Sequence, residues 1–190
     1  EASKLIRDSV KLQGVIRSKM MKSGGPGYVK PDPSSFPSLS EMNRFTLACG
    51  ALPSIAWLDG TSAGESDPEV LLDMHEAHGA VLFNLIPDRN WNFADPEVKA
   101  KKVAHMNRII DSCIRRDMPV FVGTEMNAAG QKLVDTFAEP ALAKYLKVFV
   151  EGAAILNAHT ILAPQGKGFL SDWAREKFGT DKKARNRYFA

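Results

Sequence analysis

Four ionisable side chains stand just after apolar runs: Asp59 after "PSIAWL", Arg89 after "AVLFNLIPD", Glu125 after "PVFVGT" and His159 after "AAILNA". Two carboxylates and an imidazole are a donor set for a divalent cation such as Zn or Mn, which makes Asp59, Glu125 and His159 the candidate metal ligands. Water bound to such a cation becomes a nucleophile near neutral pH. Without a cation, the same three side chains suit general acid and base work, so they are also the candidate catalytic residues. Arg89 offers a planar fork that matches a phosphate or carboxylate group, and Asp88 beside it is placed to hold that fork or to make a plain turn in "PDRN". Asn127 extends the polar tip that Glu125 begins. Trp57 and Trp91 are placed to wall a pocket or stack on a sugar, although packing in a core or at a rim is the commoner use of such rings. Asp88, Arg89, Asn127, Trp57 and Trp91 are thus the candidate substrate-binding residues.

The remaining histidines are weaker candidates. "HEAH" places His75 and His78 three apart, which is not HExxH spacing. His105 lies on the flank of an apolar stripe. Phosphate-loop, GxGxxG and nucleophile-elbow patterns do not occur.

What positions these residues is an alternation of apolar patterns. Residues 3–22 read as a helix, and the Gly-, Pro- and Ser-rich segment 22–38 as a long loop suited to a lid. Ser38 and Glu41 form a capping-box pattern that opens a helix through Cys49. Strands are expected at 53–60, 80–86, 119–124 and 153–159. Helices are expected from Ser66, Pro68 and Glu69 to Gly79, from Asp95 and Pro96 onward, near 131–137 and 139–150, and near 169–178. A basic tail, "DKKARNRYFA", closes the chain and reads as a solvated terminus. Strands alternating with helices imply an α/β fold with parallel strands, either a doubly wound sheet or the C-terminal part of a (β/α) TIM-like barrel. A full barrel needs about 200 to 250 residues, so four strands would require an N-terminal segment or a second copy of the chain to complete it. In both architectures the site lies at the carboxyl ends of the strands.

Of the 190 residues, 44% are hydrophobic and 25% charged, as in an ordinary globular domain. A net charge of +3 is too small to argue for nucleic acid. No run is expected to match the roughly 20 apolar residues of a membrane span, and the charged, amphipathic start does not read as a secretory leader. Cys49 and Cys113 sit in helix-like apolar patterns and read as buried free thiols, which suits a cytoplasmic setting.

Three of these stretches resemble a known family. "ACGALPSIAWLDG" is similar to the segment of PHP-type and related amidohydrolase-like TIM-barrel metal-dependent hydrolases in which a helix ending in small residues leads to a strand "IPVLAHP". "RDMPVFVGTEMNAAG" resembles their later strand, "LPVTGGSDFHG", and "GAVLFNLIPDRN" falls where they have "GIEVYN". The resemblance covers roughly residues 40–130. It implies a barrel of that superfamily with its N-terminal half outside these residues, and a divalent metal. Trp57, with Asp59 two residues on, stands where the family has a metal-binding histidine. Glu125 and Asn127 stand where it has Asp and His, and the family's N-terminal HxH is absent. The function expected is a metal-dependent hydrolase acting on a small phosphorylated or carbohydrate-like molecule. The alternatives are a sugar or uronate isomerase, or a ligand-binding barrel without catalysis.

Overall fold

The computed structural model describes residues 2–126 and 132–190, and the chain divides into two compact units, 1–38 and 39–190. In the first unit, the single helix expected over 3–22 is two: α1 (Ala2–Ile6) and α2 (Ser9–Ile16), followed by a wider helical turn at Arg17–Met21. The break has a local cause. The Asp8 carboxylate accepts from the Lys11 N–H at 3.1 Å and so caps a new helix where the old one would have continued. Segment 22–38 is loop apart from a short turn at Pro33–Ser35, which Asp32 caps through the Ser34 N–H.

The second unit begins with α3 (Leu39–Ala48) and continues through β1 (Ser54–Trp57), α4 (Pro68–Ala77), β2 (Leu82–Leu85), α5 (Asp88–Trp91), α6 (Pro96–Arg115) and β3 (Val120–Val122). It closes with α7 (Pro140–Ala143), α8 (Leu146–Leu162), α9 (Asp172–Phe178) and α10 (Lys182–Phe189). Both long crossover helices start from the same local chemistry. Asp67 caps α4 and Asp95 caps α6 through the N–H groups two and three residues on, and proline follows each cap in the first turn. Gly79, at φ 93, ends α4 in a conformation that favours glycine.

The three strands are parallel, in the order β1-β2-β3. Side chains of one face (Ile55, Trp57, Phe83, Leu85, Val120) join α4, α6, α7 and the start of α8 in one apolar cluster. On the other face, Leu82 and Phe121 meet Ile155, Phe169 and Phe189 from α8 to α10. The tail read as a solvated terminus is therefore α10, docked through Phe189, which is 2% exposed.

The main correction concerns 153–159. This segment is not a fourth strand but the second half of α8, and the helix occupies the place a fourth strand would take. Phe83 donates to Pro119 O and Gly123 to Leu85 O, so alternate residues of β3 face β2 and the N–H and C=O of Val120 point outward. Gly152 lies against that outward edge: a Cβ built there would sit 2.0 Å from Val120 O. Phe149 packs into one cluster and Ile155 into the other, so α8 straddles the strand and covers the edge that would otherwise invite pairing. The same helix corrects the reading of hydropathy, since Leu146–Gln165 is long and apolar enough by composition to cross a membrane.

Two smaller expectations also change. Residues 132–139 form turns and bends instead of a helix. Cys49 is exposed, while Cys113 is buried, and burial raises its thiol pKa. The fold shown is a mixed α/β unit with a small parallel sheet; eight-stranded closure is not part of it.

Candidate functional site

Asp59, Arg89 and Glu125 follow β1, β2 and β3 at one end of the sheet. Asn90 ties this end together. Its side chain is buried and its Nδ2 donates to Leu58 O at 2.9 Å and Ile86 O at 3.1 Å, linking the tips of β1 and β2. Glu65 closes the β1 tip by accepting from the Leu58 N–H at 2.9 Å and the Gly60 N–H at 3.3 Å.

Arg89 and Glu125 form an ion pair across the neighbouring ends of β2 and β3, with side chains 39% and 26% exposed. They line a small recess with Asp88, Thr124 and Lys132. Of the two uses expected of Asp88, holding the arginine or making a local turn, the structure shows the second. Asp88 accepts from Asn92 Nδ2 at 3.0 Å, within its own helical turn. Asp59 is engaged elsewhere, with Lys102 Nζ at 2.6 Å and the Thr61 N–H at 3.0 Å.

His159 stands apart from these three. It lies on α8, its Nδ1 accepts from the Phe169 N–H at 3.0 Å, and its Nε2 therefore donates to Gly50 O at 3.0 Å. Gly50 precedes β1, so His159 belongs to the amino end of the sheet, opposite Glu125. Both ring nitrogens are engaged, Nε2 joining α8 to the α3–β1 connection and Nδ1 holding the segment that follows α8. Asp59, Glu125 and His159 consequently do not fit one metal centre, and among the described residues no group of three His, Cys, Asp or Glu side chains is placed to hold a metal ion.

The tryptophans are packing residues. Trp57 is 1% exposed and tilts against Phe83 at 6.3 Å in the core. Trp91 is 8% exposed; its Nε1 donates to Asp135 at 2.8 Å and Lys132 Nζ lies 4.2 Å from the ring centroid. Trp91 thus holds Lys132, a recess residue, without facing the recess itself. Asn127 lies outside the described residues.

Sequence reading missed Lys102, Lys132, Asn90 and Asn84. The last sits on β2 facing Gly123, and its Oδ1 is buried without a donor. A signal existed for it: Asn84 is the one polar residue in "AVLFNLI". Lys102 and Lys132 carried none, because lysines on helices and loops are ordinarily solvated.

Burial would raise the Asp59 carboxyl pKa, but hydrogen bonds from Lys102 and Thr61 outweigh it and hold the group at about 2, below its ordinary 3.8. A carboxyl depressed by folding stabilises the fold above its unfolded value, and that contribution is lost as pH falls through the folded one. Lys102→Met should therefore lower Tm at neutral pH, and its deficit against wild type should close as pH falls from 3.8 toward about 2. An equal deficit at both ends of that range would show that the pair does not set the shift.

Compared with known proteins, the chain matches no family model, no curated protein and no solved structure.

Proposed function

We propose that residues 39–190 form an α/β enzyme unit that hydrolyses a small phosphorylated or carbohydrate-like molecule at the carboxyl edge of the sheet. The observation that carries this is the Arg89–Glu125 pair on neighbouring strand ends, open to solvent beside Lys132 and Thr124. Parallel α/β sheets take their ligands at that edge. Arg89 and Lys132 supply positive charge for a phosphate or carboxylate group. Once a substrate anion draws Arg89 toward itself, the Glu125 carboxylate is released to take a proton from attacking water. Thr124 is a hydroxyl donor within the same recess. The expected metal ligands Asp59, Glu125 and His159 do not meet at this edge, so the chemistry proposed rests on Arg89, Lys132 and Glu125. The larger architecture we propose is the doubly wound parallel sheet in preference to part of a closed barrel, because helices pack on both faces and α8 lies over the outer edge of β3. The β1-α4-β2-α6-β3 alternation supports it.

Sugar phosphates and uronates incubated in heavy-oxygen water test the reaction class. Hydrolysis places the label in product, whereas an isomerase interconverts substrate without net addition of water. Arg89→Met is expected to raise KM about tenfold or more, the worth of a hydrogen bond to a charged group, with a smaller change in kcat. An unchanged KM would remove Arg89 from substrate binding. Turnover of none of these compounds would refute the substrate class.

A further inference from the structure

Helix α10 carries an arginine, Arg185, that has no counter-charge among the described residues. Arg185 is half-buried, and its guanidinium lies 4.2 Å from the ring centroid of Phe169, which is 0% exposed. Its Nε is buried without a hydrogen-bond acceptor, and among the described residues no carboxylate comes within ion-pair distance of it. Burial disfavours the charged form and holds its pKa below the ordinary arginine value. A guanidinium does not deprotonate at such a cost; it takes an anion.

The carboxylates nearby serve other cations. Glu76 accepts from Lys182 at 2.6 Å and from Arg116 at 3.0 Å, and Arg116 is matched further by Glu69 and Asp73. Asp117 lines the same cleft without reaching Arg185. The cleft, of about 290 Å³, lies between Gly79, which leads into β2, and the Gly179–Thr180 turn before α10. That volume is at the small end for ligand sites, about 300 to 1,000 Å³. It lies at the amino end of the sheet, away from Glu125, so the inference stands independently of the proposed function.

We infer that this cleft is an oxyanion site, in which Arg185 receives the carboxylate or phosphate-ester group of a small ligand while the Phe169 ring holds its guanidinium plane. A planar fork on an aromatic face is suited to two-pronged recognition of such groups. The Gly179–Thr180 turn supplies backbone and hydroxyl groups at the cleft wall.

The test is titration of the Arg185 Nε–H resonance by NMR, with inorganic phosphate and with acetate separately, against sodium chloride at matched ionic strength. A saturable shift with phosphate alone identifies a phosphate ester as the ligand class, and one with acetate alone a carboxylate. Either should be accompanied by a rise in Tm. Arg185→Met should lose that thermal response, and Arg185→Lys should weaken it about tenfold, keeping the charge but losing the fork. Lys183→Met, two residues before Arg185 and exposed on the other side of α10, should leave it intact. Should Arg185→Met fail to fold, the wild-type resonance and Lys183→Met decide the matter. The inference is overturned if chloride produces the same shift, if neither anion saturates, or if a folded Arg185→Met responds with an unchanged midpoint.

Discussion

Gly152→Ala should destabilise the protein by about 3 kcal/mol, the upper range for overpacking a core, and Gly152→Val should prevent folding. In an exposed helix the same change to alanine would stabilise by about 1 kcal/mol, because glycine is the poorer helix former. Here the added Cβ would sit 2.0 Å from Val120 O and 2.5 Å from Val120 C. Both are backbone atoms of a strand bonded to β2, so neither can swing aside as a side chain would. Relief requires α8 to lift from the edge, which would pull Phe149 out of one cluster and Ile155 out of the other. Urea denaturation measures the difference, with Ala153→Gly on the exposed side as control, expected to cost only about 1 kcal/mol. An alanine variant as stable as wild type would mean that α8 does not lie on β3.

Glu125→Gln should lower kcat by about 10²- to 10⁴-fold, the usual contribution of a positioned acid or base, with Tm nearly unchanged. The amide keeps the shape of the carboxylate but cannot accept the proton. The pair it breaks is partly exposed, with Arg89 39% and Glu125 26% accessible, so the guanidinium left behind remains solvated and little stability is lost. A structural Glu125 would show the reverse, with activity kept and melting temperature lowered. Full activity in the glutamine variant removes Glu125 from catalysis.

The sequence by itself determined the elements whose causes are local. Asp67 with Pro68 and Asp95 with Pro96 begin α4 and α6, because a cap reaches only two or three residues along the chain. The apolar runs that became β1, β2 and β3 are short, rich in strand formers and bounded by turn residues, and their parallel arrangement follows from the helices between them. It also indicated that Asp59, Arg89 and Glu125 would share one end of the sheet, since each directly follows such a run. What only the tertiary structure decided is non-local. "AAILNAH" is apolar nearly throughout, and a short run of that kind fits a strand or a buried helix equally well. The choice was made by Gly152, whose missing side chain lets a helix lie on the edge of β3. That choice carried His159 to the amino end of the sheet, away from the carboxylates it was expected to join. Ion pairing was equally illegible, because Lys102 meets Asp59 and Arg89 meets Glu125 only after α6 and the strand ends are brought together. Pairing of this kind depends on where the chain returns in space, and no spacing along the sequence encodes it.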